Sequence, residues 1–211
     1  MIITHFNKQH FKIQLGDLTL AINPVSKDSK FDTNKYGADI VLETLNHPDY
    51  NGKDIMNYGE KKPFIISGPG EYEVRDIFIK GFGTYTELPI SGKEKVRLQN
   101  SSYVFTIDNI KICFLGALKE DLLPEQREII DNIDILFIPV SSSENMLNAY
   151  DANKLATKLE PSIVIPMDYD DASLKMFLKE AGKEKVEKIE KLTIKRKDLD
   201  GKQGEMILFD I

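Results

Sequence analysis

The stretch Leu45-Asn46-His47-Pro48-Asp49-Tyr50-Asn51 places an imidazole, a carboxylate and a phenol in one short loop. These are donor types that hold Zn²⁺, Mn²⁺ or Mg²⁺. A cation held in this way can polarise a scissile group and generate hydroxide near neutral pH. A metal site needs several donors converging on one point, so this loop alone is half of such a site, or a polar turn after a strand.

Other nucleophilic chemistry finds less support. Ser101-Ser102 and Ser141-Ser142-Ser143 could supply hydroxyls, but a serine nucleophile needs a positioned base and no G-x-S-x-G elbow is present. The chain has 3 histidines. His5 and His10 fall in an N-terminal hairpin and read as strand-surface residues. The serines are expected to bond to backbone in turns. Gly68-Pro69-Gly70 lacks the Gly-Lys-Ser/Thr and the helix of a phosphate loop, so it reads as a structural turn. Cys113, in IKICFLG, has no second cysteine to pair with and reads as a buried thiol.

The elements that must position these residues follow from periodicity. IITHF, HFKIQLG and LTLAINP are short strands, the last two joined at Gly16-Asp17. ADIVLET is a nearly continuous apolar run, as expected of a strand buried on both faces. PFIIS, the breaker Gly68-Pro69-Gly70, EYEV and DIFIKGF predict a strand, a tight turn and a strand pair. SSYVFTIDNIKICFLG predicts a hairpin turning at Asp108-Asn109. The second half alternates. EDLLPEQREIIDNI has helical spacing, and IDILFIPV is a buried strand. YDANKLATKLE predicts a helix capped by Asp151, and SIVIPM is another buried strand. DASLKMFLKEAG predicts a helix stopped by Gly182. KLTIKRKDLDGKQGEMILFDI predicts two strands around a DG-containing turn.

A chain of 211 residues suffices for one domain over residues 1–211 with a substantial core. The net charge of −6 and the absence of a basic stripe argue against a nucleic-acid partner. The lysine-rich segment 183–197 is also rich in glutamate and reads as a solvated face. No run approaches the roughly 20 apolar residues of a membrane helix, and no signal peptide is seen, so a cytoplasmic location is expected. Pattern alone gives α/β or α+β, with two sheets and helices on their outer faces.

The order of motifs is more specific. Ala21-Ile22-Asn23-Pro24, ADIVLETLNHPDYN, ISGPGEYEVRDIFIKGF, KICFLGAL, DILFIPV and EPSIVIPMDY together resemble the metallo-β-lactamase-fold superfamily. The resemblance is strongest to its small zinc-dependent hydrolases, and GPGEYEV is its most specific segment. It implies a four-layer αββα sandwich with a site on loops at one end. It also implies hydrolysis assisted by two metal ions.

Carried over residue by residue, the family's H-x-H-x-D-H loop falls on Leu45, His47, Asp49 and Tyr50. A later histidine is expected in GFGTYTEL, which holds Thr84 and Thr86 instead. The bridging aspartate of a Gly-Asp step becomes Ala117, after Gly116. The histidine of Ile-Pro-Met-His-Tyr becomes Asp168. The subgroup's Gly-His-Ser aligns with Asn7-Lys8-Gln9, and its Asp-Pro with Asn23-Pro24. An alanine cannot bridge two cations or offset their repulsion.

The resemblance therefore implies a degenerate site and a binding or assembly role without catalysis, with no resident cofactor. The ligand would be a small molecule or a protein partner, with self-association open. The alternative is a hydrolase with one divalent metal (Zn²⁺, Mn²⁺ or Mg²⁺) on His47, Asp49 and Asp168.

Overall fold

A computed structural model describes residues 1–89, 95–183 and 185–210. The N-terminal strands are β1 (Ile2–Asn7), β2 (His10–Leu15), β3 (Leu18–Ile22), β4 (Ile40–Leu42) and β5 (Phe64–Ile66). They are followed by β6 (Gly70–Val74), β7 (Ile77–Pro89), β8 (Lys95–Ile107) and β9 (Ile110–Phe114). Then come α1 (Pro124–Ile129), β10 (Ile135–Pro139), α2 (Ala149–Leu159), β11 (Ile163–Met167) and α3 (Asp171–Glu180). Four two-residue strands close the chain: β12 (Lys188–Ile189), β13 (Leu192–Thr193), β14 (Glu205–Met206) and β15 (Leu208–Phe209).

Two mixed sheets face each other. One has the order β13-β1-β2-β3-β4-β5, the other β14-β11-β10-β9-β8-β7-β6. The chain passes between them at the turn between β5 and β6, which contains Pro69. The hairpins form where Gly16-Asp17 and Asp108-Asn109 predict. Gly16 has φ +56°, and Asp108 and Asn109 have φ +53° and +59°, the left-handed pair that matches strand twist.

The inner faces build the main core. Ile3, Phe11, Ile13, Leu20, Ile22 and Leu42 meet Ile79, Phe105, Ile112, Phe114, Phe137 and Ile165. The outer face of the second sheet carries Cys113, Leu136, Ile138 and Val164, packed under Ala152 and Leu155 of α2 and Leu174 and Phe177 of α3. Buried Cys113 has its thiol pushed up by desolvation, as expected of a structural thiol. The layer over the first sheet is thinner. A single 3₁₀ turn, Lys53–Met56, sets Ile55 and Met56 on Ala21 and Val41, and Tyr36 packs beside them.

Three local expectations need correction. The cap of α2 is Asn148, whose Oδ1 accepts the Asp151 amide at 3.0 Å, so Asp151 lies within the first turn. The C-terminal segment is no hairpin. β13 extends the first sheet beside β1, β14 extends the second beside β11, and β15 pairs with β12. His5 and His10 are buried at 5 % and 0 % exposure. His5 stacks on Phe11 at 4.1 Å, and His10 is roofed by Phe6 and Tyr36 on a face expected to be open.

Candidate metal centre

The loops leaving the strands β3, β4, β9, β10 and β11 carry most of the site positions singled out from the sequence. Asn23 follows β3, and the loop of Leu45 to Tyr50 follows β4. Gly116-Ala117 follows β9, the serine run follows β10, and Asp168 follows β11. A cleft of about 580 Å³ opens among these loops. His5, Lys8, Phe31, His47, Asp49, Tyr50, Ser142, Asp168 and Tyr169 all reach it.

The floor beside the cleft is apolar. Leu45, Tyr50 and Ala117 occupy ligand positions implied by the resemblance. With Leu88 and Met146 they form one buried cluster, flanked by Leu98. Thr86, fully buried where a histidine is expected, donates to the Asn145 carbonyl at 2.7 Å. The tight step into Ala117 is fixed by Gly116 at φ +64°. A Cβ there would lie 2.5 Å from Asn100 Oδ1 and 2.8 Å from Thr44 Cβ. Asn100 holds this turn: its Oδ1 accepts the Ala117 amide at 2.8 Å, and its Nδ2 donates to Leu115 O at 2.9 Å.

The carboxylate of Asp168 is only 3 % exposed and is surrounded by donors. Lys8 Nζ lies 2.8 Å from Oδ1. Tyr50 Oη donates to Oδ2 at 2.6 Å, and Gln9 Nε2 at 3.3 Å. Burial, reinforced by the Asp168 charge, pushes the Tyr50 phenol well above its ordinary pKa. It is therefore a proton donor to Asp168 and not a phenolate ligand. The polar chain continues inward. Asn23 Nδ2 donates to Gln9 Oε1 at 3.2 Å and to Thr44 Oγ1 at 2.9 Å, while Thr44 N donates to Asn23 Oδ1 at 2.8 Å.

His47 and Asp49 are partly exposed on the cleft wall and interact mainly with their own loop. The Asp49 amide donates to His47 Nδ1 at 3.3 Å, with Asp49 Oδ2 3.8 Å from that nitrogen. Ser29 Oγ donates to Asp49 Oδ1 at 2.6 Å. His5 Nε2 donates to Lys8 O, 3.0 Å away. Burial lowers its pKa to about 4, and that of His10 to about 3, so both are neutral near pH 7.

Across the cleft, Ser142 Oγ donates to Asp170, the cap of α3, whose Oδ1 also accepts the Ser173 amide at 2.8 Å. Ser141 and Ser143 share a hydroxyl contact at 2.8 Å, and the Ser143 amide donates to Ser141 Oγ at 3.0 Å. No histidine stands against these serines in a base–nucleophile hydrogen bond among the described residues.

The donor set does not fit a dinuclear metal centre. Two ligand positions are hydrocarbon, a third is a protonated phenol, and the added carboxylate is already matched by an ammonium. His47, Asp49 and Asp168 share the cleft. Even so, no three His, Cys, Asp or Glu side chains among the described residues converge as a cation-binding group. Sequence reasoning named His47, Asp49, Tyr50 and Asp168, and all four line one cleft. It missed that Lys8 belongs to the same constellation, although Lys8 stands where the resemblance implies a histidine.

An αββα sandwich with its cleft on loops at the ends of parallel strands defines the class of metallo-β-lactamase-like proteins. The chain belongs to the β-lactamase superfamily: the profile described as "Beta-lactamase superfamily domain" matches residues 2–168. No curated protein matches the chain. Among solved structures, it is similar to a candidate Zn-dependent hydrolase of the metallo-β-lactamase superfamily from Thermotoga maritima. That match has 25% identity and a TM-score of 0.75, over 99% of this chain and 97% of the other. A candidate metal-dependent hydrolase from Parabacteroides distasonis matches at 21% identity and TM-score 0.63, over 86% and 89% of the two chains. A metallo-hydrolase from the archaeon Ignicoccus hospitalis matches at 20% identity and TM-score 0.62, over 92% and 99%. No helix of the described residues is long and apolar enough to cross a membrane.

Proposed function

We propose that this chain is a non-catalytic member of the superfamily that binds a small molecule or a segment of a partner protein in the cleft at the strand ends. The observation that carries this reading is the apolar cluster of Leu45, Tyr50, Leu88, Ala117 and Met146 where a metal pair would need donors. A catalytic zinc normally requires about three protein ligands and an open position. Here the neighbouring cleft keeps its opening while the ligand positions are filled with hydrocarbon. Its walls combine Phe31 and Tyr169 with Ser142, His47 and Asp49, an apolar surface with a few convergent polar groups.

The second reading is a hydrolase with one divalent ion on His47, Asp49 and Asp168. It is favoured by the exposure of His47 and Asp49 together on the cleft wall and by the hydrolase descriptions of the structural relatives.

Elemental analysis after incubation with Zn²⁺ or Mn²⁺, run beside ester, thioester, lactone and phosphodiester assays, separates the two. The non-catalytic reading expects no stoichiometric metal and no hydrolysis above buffer. Stoichiometric metal and turnover, both lost in Asp49→Ala, would overturn it in favour of the second.

A further inference from the structure

We infer that Lys8 is a tethered replacement for the metal cation: its ammonium supplies, from within the chain, the positive charge that the relatives' fold takes from a bound ion. Four observations converge on this.

Lys8 and Asp168 occupy two positions where the resemblance implies histidines, and here they are a base and an acid paired at 2.8 Å. The pair is one-sided in its burial. The Asp168 side chain is 3 % exposed and the Lys8 side chain 31 %. The carboxylate therefore depends on its partner more than the ammonium does, because a buried charge without compensation is strongly destabilising.

The backbones meet as well. Asp168 N donates to Lys8 O at 3.2 Å, and both residues adopt left-handed conformations, φ +49° at Lys8 and +56° at Asp168. Non-glycine residues hold that region only where their surroundings fix them. Finally, the contact ties together three segments distant in sequence: the turn between β1 and β2, the Tyr50 loop and the end of β11. Here one carboxylate accepts Lys8, Gln9 and Tyr50.

If Lys8 replaces a cation, then removing its charge leaves a carboxylate vacancy that an external cation can fill. The experiment compares thermal unfolding of wild type, Lys8→Met, Asp168→Asn and the double variant, each with EDTA and with 10 mM MnCl₂. In EDTA, each single substitution is expected to lower Tm by roughly 4–8 °C, and the double variant by less than the sum. Mn²⁺ is expected to raise the Tm of Lys8→Met by about 3 °C or more, leaving wild type and the double variant unmoved. Lys8→Gln, which retains a donor but no charge, is the second variant should Lys8→Met not fold. Additive losses, a Mn²⁺ response in wild type as large as in the Lys8 variants, or no response in those variants would each overturn the proposal.

Discussion

Tyr50 and Asp168 meet at 2.6 Å across 118 positions of sequence, the phenol on the loop after β4 and the carboxylate just past β11. The phenol is 2 % exposed and keeps its proton, so the bond runs from a neutral donor to a charged acceptor. Hydrogen bonds to charged groups contribute more than neutral ones. Tyr50→Phe is expected to lower stability by about 1.5–3 kcal/mol, measured by urea unfolding. A loss below the resolution of the method would show that Lys8 and Gln9 alone satisfy Asp168.

Ala117 sits fully buried among Leu45, Leu88 and Met146. Ala117→Asp introduces the residue type that the resemblance implies at this position. In this chain it places a carboxylate against hydrocarbon, so a loss of about 3–5 kcal/mol is expected. Micromolar Zn²⁺ is expected not to restore it. Recovery of wild-type stability on adding zinc would show that the remaining donors do form a centre.

Gly116 combines a positive φ with a closed space around it. Gly116→Ala is expected to cost about 2–4 kcal/mol, from left-handed backbone and from overlap with Asn100 and Thr44. Gly16→Ala is the comparison: its φ is +56° but nothing lies within 4 Å of the added Cβ, so about 1 kcal/mol is expected. Equal losses at the two positions would remove the role given to the Asn100 contact.

Two neutral, buried histidines set an acid limb. His5 and His10 fall from the ordinary 6.5 to about 4 and about 3 in the folded chain. Below pH 6.5 the unfolded chain takes up protons that the folded chain refuses. Stability from these groups is therefore complete above pH 6.5 and declines as pH falls toward 4. The slope for each approaches about 1.4 kcal/mol per pH unit. Urea midpoints measured from pH 7.5 to pH 5 should fall, and His10→Gln should flatten the fall. A flat profile in the unaltered protein would contradict the burial of both rings.

Much of the fold was legible because period and punctuation carry it. Gly16-Asp17 and Asp108-Asn109 turn hairpins, and the apolar runs around Cys113, Phe137 and Ile165 lie side by side in the second sheet. The C-terminal strands were not legible, since two residues have no period and their partners are chosen by sheet edges far away in sequence. The burial of His10 depends on Tyr36, which a loop lays over the strand from 26 positions away. At Asn148 and Asp151, both residues are good caps, and only the Asn148 oxygen on the Asp151 amide decides between them.

The site shows the same division. The motifs of the resemblance put His47, Asp49, Tyr50 and Asp168 at one end of the sandwich, and all four line one cleft. They could not say that Leu45, Tyr50 and Ala117 would fall in one buried cluster. Nor could they say that a lysine 160 positions from Asp168 would face it. Those relationships belong to the folded loops.

The apolar cluster also bears on which substitutions this end of the sandwich accepts. A single polar side chain at position 45 or 117 lies among hydrocarbon neighbours and lowers stability before any ion could compensate. The partly exposed cleft wall around His47 and Tyr169 carries no such packing constraint, so altered binding is more accessible there than on the cluster.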